Sequence, residues 1–228
     1  MTSRWALRLI AVLALIVVGF AGWFWWDMRD WRPSESLYPE QGAVIASGAS
    51  GTKFETIGAL GGSFVYLELV GSLSAPDPGF AGRLSAARAA GLQVGVIYPF
   101  DPCQQADPQS GRFTRMVPRD GDLLPPAIAL TQVTGACTPP VSDAAVESEL
   151  LTLVNQIEMH AGKQVILKLG KEFEQRHRIA RTLSRDLWLM RDRARPDYAP
   201  RPWLLWSANS QLVSAATDES IEWVVVQK

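Results

Sequence analysis

Hydrophobic positions fall into two regimes along this chain. From Leu9 to Trp26 no charged residue interrupts an apolar run, whereas beyond Glu40 short apolar stretches alternate with amphipathic ones. A helix of about 20 apolar residues covers the ~30 Å hydrocarbon core of a bilayer. The run is apolar on every face, unlike a core helix, which carries one apolar stripe. Trp23, Phe24, Trp25 and Trp26 close it as an interfacial aromatic belt would. Arg4 and Arg8 precede it and favour a cytoplasmic N-terminus; Arg29 and Arg32 follow it and weaken that bias. A cleaved signal peptide is the competing reading, and Ala21-Gly22, followed by bulky Trp and Phe, is its weak cleavage site. The expectation is a cytoplasmic stretch 1–8, a transmembrane anchor 9–26, a linker 27–40 containing Pro33 and Pro39, and one domain over 41–228. This describes a single-pass protein of the inner (cytoplasmic) membrane with a periplasmic C-terminal domain.

In the domain, the patterning predicts strands at Gly62–Val70, Leu92–Tyr98, Pro125–Leu130, Val165–Leu169, Leu187–Met190, Trp203–Trp206 and Trp223–Val226. Helices are predicted at Ala81–Ala90, closed by Gly91; at Ser142–Ala161, capped by Ser142 and ended by Gly162; and at Lys171–Leu183. Strands alternating with helices of these lengths mean an α/β fold with mostly parallel strands. No internal repeat is visible.

Charge changes the picture little. The chain has 228 residues, 47% hydrophobic and 20% charged, with a formal net charge of −1. The first 32 residues hold four of the 22 basic and two of the 23 acidic residues, so the body is mildly acidic, 18 against 21. That excludes a global basic footprint for nucleic acid. Lys168–Arg195 is locally basic, nine residues against four. Glu172–Arg176 and Glu174–Arg178 have i,i+4 spacing there, so much of it reads as a self-paired solvated face; the rest is available to anionic wall peptides or lipid headgroups. His160 and His177 lie in different helices, and no metal or other cofactor is implied. Ser47–Gly51 lacks the lysine of a phosphate-binding loop and reads as a flexible loop. Cys103 and Cys137 each follow a predicted strand, near one carboxyl edge of the sheet. They are either two free buried thiols or, in the oxidising compartment the anchor implies, a disulfide.

The order of segments resembles the glycoside hydrolase family 25 lysozymes, muramidases that cut peptidoglycan glycan strands. Phe64-Val65-Tyr66 with Asp77-Pro78 and Phe80 is similar to the family's second strand and the turn after it. Ala89-Ala90-Gly91-Leu92 with Gly95 resembles its helix-to-strand step. Val117-Pro118-Arg119-Asp120 and Leu124-Pro125-Pro126 resemble the approach to its catalytic strand, and Arg201-Pro202-Trp203 with Trp206 its late Trp-rich strand. The resemblance implies a flattened, TIM-like β/α barrel of the family 25 type, preceded here by the N-terminal transmembrane helix, with its site at the strands' carboxyl ends.

The same resemblance puts acids where this sequence has none. The family's opening Gly-x-Asp falls on Gly42-Ala43-Val44, and its Asp-x-Glu on Ala129-Leu130-Thr131. Its Lys and Glu after the second strand fall on Glu68 and Gly71, its Tyr-His on Ile97-Tyr98, and its last aspartate on Glu222. Glycoside hydrolysis takes a pair of carboxyl groups, one to protonate the leaving oxygen and one to attack or activate water. Glu222, Glu68 and Asp101 are the candidates left for that work. Trp206, Tyr98 and Glu222 are the candidates for holding sugar, with core packing the alternative for Trp206. The leading expectation is therefore a membrane-anchored, catalytically inactive relative that engages peptidoglycan glycan strands. The alternatives are an active muramidase with relocated carboxylates and a periplasmic protein-interaction module.

Overall fold

The computed structural model describes the chain except residues 1, 50, 70–76, 78 and 228, and the side chains of 2–7, 25, 28 and 136. Among these residues the strands β1 (Gln41–Ile45), β2 (Gly62–Glu68), β3 (Gln93–Pro99), β4 (Ala127–Leu130), β5 (Ile166–Leu169), β6 (Asp186–Met190), β7 (Leu205–Leu212) and β8 (Ile221–Val226) close into a barrel in chain order. Neighbours from β1 to β7 are parallel; β8 runs antiparallel to both β7 and β1 and closes the ring. The helices between strands are α2 (Phe54–Ala59), α3 (Phe80–Ala89), α4 (Ala106–Met116), α5 (Asp143–Ala161), α6 (Lys171–His177) and α7 (Ile179–Thr182), and α1 (Thr2–Asp30) precedes the barrel.

Side chains alternate across a strand, so each strand feeds two cores. Val44, Phe64, Tyr66, Ile97, Ala127, Ala129, Ile166, Trp188, Leu205 and Val224 point inward and plug the barrel. The other faces pack against the helices. α5 shows how: Val146, Leu150, Leu153, Val154 and Ile157 form its buried stripe at helical spacing. Ser142 Oγ accepts the Ala145 amide at its start, and Gly162 ends it in the left-handed conformation.

Three elements depart from the expectations. The helix anticipated over Lys171–Leu183 is two pieces, because Arg178 adopts φ 52° between α6 and α7. The anticipated i,i+4 pairs are replaced accordingly: Arg176 pairs with Asp143, and Glu174 turns inward to accept the Ala180 amide. The late strand begins at Leu205 rather than Trp203 and continues to Leu212, paired with β8. The second strand ends at Glu68; Val70, and Gly71 after it, lie outside the described residues. Cys103 and Cys137 are joined in a disulfide that ties the loop after β3 to the loop after β4.

Among the described residues, the contacts of α1 with the barrel lie in its last two turns. Arg193, in the segment after β6, pairs with Asp27 and lies over the rings of Phe24 and Trp31. Val213, just past β7, donates its amide to Arg29 O, and Asn209 Nδ2 donates to Trp31 O. The chain then descends the outer wall beside β8 to Gln41, whose side chain donates to Pro33 O and Tyr38 O. The stretch 31–40 is thus fastened to the barrel and is not a free spacer. Among the described residues no helix is long and apolar enough to cross a membrane; the uncharged run 9–26 includes Trp25, whose side chain lies outside that set.

Candidate active site at the barrel mouth

Above the apolar plug, the inward positions that β2, β5, β7 and the antiparallel β8 bring to this end of the barrel are polar. Glu68 follows Tyr66 on the inner face of β2, Lys168 follows Ile166 on β5, Ser207 follows Leu205 on β7, and Glu222 sits two residues before Val224 on β8. Lys168 Nζ donates to Glu222 Oε2 at 2.8 Å. Ser207 Oγ donates to the other oxygen, Glu222 Oε1, and itself accepts Trp188 Nε1 at 2.7 Å. The lysine also lies 4.8 Å from the centroid of the Trp188 ring, so one indole supports both the cation and the hydroxyl. Tyr66 packs edge-on against the same indole at 4.9 Å. Burial pushes the Glu68 carboxyl above the usual carboxylate range; the Lys168 charge opposes that shift and the Glu222 charge adds to it. Two carboxyl groups and one ammonium therefore share this mouth.

The neighbouring inner positions carry no acid. Val44 and Ala129 are buried within the plug, and Thr131 lies past the end of β4, exposed beside Gln132. Ala129 registers with Lys168 on the adjacent strand, so the two lie side by side on the inner face.

Of the residues singled out from sequence, Glu222 and Glu68 meet at the mouth. Asp101 does not join them. It follows β3, where its carboxylate accepts the Cys103 amide and the Gln104 side chain and so shapes the turn into α4. Trp206 and Tyr98, expected with Glu222 to hold sugar, lie on the outward faces of their strands. Trp206 is 3% exposed, donates to Arg191 O at 2.7 Å, and packs against Trp31, Tyr38 and Trp203. Tyr98 is 1% exposed and packs edge-on against Phe113, and burial pushes its hydroxyl up to about 12. Neither ring offers a free face, because period-two alternation turns each away from the barrel axis.

Lys168, Ser207 and Trp188 are the site residues that the sequence reading missed. Lys168 carried a signal: it is the lone charge in the strand Val165-Ile166-Leu167-Lys168-Leu169, and a lysine is rarely buried without a partner. His160 is spent elsewhere, with Nε2 bonded to Val117 O and Nδ1 accepting from Arg119. Among the described residues no group of three or more His, Cys, Asp or Glu is placed to hold a metal ion.

The family model "Glycosyl hydrolases family 25" matches residues 45–213, most of the barrel. The chain belongs to glycosyl hydrolase family 25. Solved structures with the same fold include a family 25 glycosyl hydrolase from Bacillus anthracis, 21% identical over 86% of this chain and 92% of that one, with a TM-score of 0.76. A bacterial lysozyme from Streptomyces coelicolor is 14% identical over 83% of this chain and 92% of that one, TM-score 0.71. A family GH25 lysozyme from Aspergillus fumigatus is 16% identical over 83% and 94%, TM-score 0.67. No curated protein matches the chain. The family 25 barrel thus carries its polar cluster at the carboxyl ends of the strands, the usual site of (β/α) barrels.

Proposed function

We propose that this family 25 protein is held to the membrane by its N-terminal helix and binds peptidoglycan glycan in the barrel mouth without hydrolysing it. The observation that carries this reading is the state of Glu222. One of its oxygens accepts from Lys168 and the other from Ser207, so the carboxylate is engaged on both sides. A general base or nucleophile needs a lone pair aimed at substrate or water, and both oxygens of this carboxylate already accept from the protein. The inner face of β4, at Ala129, adds no second acid. What remains is a polar mouth in which the half-buried carboxyl groups of Glu68 and Glu222 are the groups a sugar hydroxyl or amide meets, with Lys168, Ser207 and Trp188 buried beneath them.

One observation favours a hydrolytic second reading. Glu68 has its carboxyl raised by burial beside the charged Glu222, the asymmetry that separates an acid from a base in glycosidases. The anchor is supported by the uncharged run Leu9–Trp26 and by the exposure of its side chains along α1, with Leu9, Leu15 and Val18 each more than 60% exposed. It implies a periplasmic barrel.

The deciding experiment is incubation of the full-length protein, in detergent, with purified peptidoglycan. Sedimentation with the wall and no release of reducing ends is expected. Turnover that is lost in both Glu68→Gln and Glu222→Gln would establish the hydrolytic reading instead. Neither turnover nor sedimentation would leave the protein-interaction role.

A further inference from the structure

The contacts of α1 fix which face of the barrel meets the membrane. β6 and β7 run parallel, and residues 191–193 continue along β7 beyond Met190: Arg193 N donates to Ala208 O, and the Ser210 amide donates to Asp192. Arg193 and Val213 therefore belong to the carboxyl-end rim, the rim of Glu68, Lys168 and Glu222. These are the residues that grip α1, at Phe24, Asp27 and Arg29. The chain leaves this grip toward the opposite rim, where Val226 N donates to Glu40 O. The helix upstream of Phe24 is not laid along the barrel wall: Leu9, Leu15, Val18 and Phe20 are 64–72% exposed. From Leu9 to Phe24 it reaches about 22 Å at 1.5 Å per residue, most of a hydrocarbon core. Asp27, the first charge after that run, is already bonded to the barrel, so no slack separates the bilayer from the rim.

We infer that the barrel mouth faces the bilayer at headgroup level, and that its glycan is one carried by a membrane lipid rather than a strand of the distant wall. The inference rests on the anchored, glycan-binding reading above and names the class of ligand for the same site. A long flexible tether would let the mouth sample a broad volume; a helix docked on the rim restricts it to sugars presented from the membrane plane. The ligand class is an amphiphile: a glycan joined covalently to a hydrocarbon chain.

Two measurements on the full-length protein in phosphatidylglycerol–phosphatidylethanolamine vesicles test it. Flotation with the vesicles checks the anchor first. A single fluorophore is then placed at Thr131→Cys, exposed at the mouth, or at Gln93→Cys, exposed at the opposite rim, with a headgroup-bound quencher in the lipid. At least threefold stronger quenching at position 131 is expected. Equal quenching, or stronger quenching at 93, in protein that floats overturns the orientation. Failure to float removes the anchor and this inference with it.

For the ligand, a diphosphate-linked N-acetylglucosaminyl-N-acetylmuramyl peptide in the vesicles is compared with the same disaccharide peptide in solution. Inserting about 20 Gly/Ser residues between Asp30 and Trp31, together with Asp27→Ala and Arg193→Ala to release the docked helix, should weaken capture of the lipid-borne sugar at least fivefold and leave the affinity for the soluble sugar unchanged. Equal capture by the two chains overturns the membrane-facing assignment. No binding of either sugar by either chain overturns the glycan reading on which it stands.

Discussion

Lys168 and Glu222 come from β5 and β8, three places apart around the ring, and meet at 2.8 Å with side chains only 6% and 16% exposed. An ion pair this dry gains little over a matched apolar pair, but removing one partner strands the other. Lys168→Met should therefore lower stability by about 3 kcal/mol, since the Glu222 carboxyl is then left with Ser207 as its protein partner. Lys168→Met combined with Glu222→Gln should recover most of that loss. Urea unfolding of the four variants in a double-mutant cycle checks this; additive losses would mean that the pair is not coupled.

The disulfide gives a second expectation. Cys103 and Cys137 are separated by 34 residues. A closed loop of that length removes unfolded-state entropy worth about 3–4 kcal/mol. Cys103→Ser with Cys137→Ser should lower the unfolding free energy by roughly that amount, and reductant should move the wild type but not the variant.

The framework was legible because it obeys simple periods. α5 is capped by Ser142, striped at 146, 150, 153 and 157, and closed by Gly162, so its sequence states its limits. α4 escaped because the residues it buries include Gln109, Ser110 and Arg112, which blur any apolar stripe. β7 was cut short because Ser207, Asn209, Ser210 and Gln211 break the apolar run; pairing of Asn209 and Leu212 with β8 carries the strand on. The disulfide was legible from two loops at one sheet edge. The site was half legible: the family resemblance pointed to Glu222 and Glu68, whereas the Lys168–Glu222 contact joins residues 54 apart and exists only once the ring closes. Trp206 was open between cleft and core because aromatic character does not say which of two faces it takes; Ser207, its neighbour, faces the mouth.

His177 supplies a pH dependence. Its side chain is buried, both ring nitrogens lack hydrogen-bond partners, and the ring packs on Phe173 at 4.5 Å. Burial holds its pKa below the usual histidine value; Arg176 adds to that and Asp143 and Glu147 oppose it. The folded state thus binds the proton less readily than the unfolded state. Stability contributed by neutral His177 is full above the unfolded value, near 6.5, and falls as pH drops through it. Buried Glu174 acts in the opposite sense, because its raised carboxyl pKa favours the folded state toward low pH. His177→Leu removes the first contribution only. Its stability relative to wild type should be greater at pH 5.5 than at pH 8, by thermal melts in matched buffers. A difference independent of pH would assign His177 to packing alone.

Close packing at Gly95 makes the last prediction. Gly95 lies on β3 opposite Tyr66 of β2 in the strand register. A Cβ built there would stand 2.3 Å from the Tyr66 ring, and that ring already packs on Trp188 while its hydroxyl donates to Pro125 O. The ring has no free direction in which to give way, so Gly95→Ala must displace β3 or push Tyr66 into Trp188. The overpacking cost is about 1–3 kcal/mol. Because Trp188 carries Ser207 and faces Lys168, the shift should propagate to the mouth. Gly95→Ala with Tyr66→Leu should restore stability by freeing space, yet leave Trp188 without its edge-on partner. Tryptophan near-ultraviolet dichroism would then stay altered while the melting temperature returns. Recovery of both together would mean that Gly95 serves β3 alone, with no link to the site.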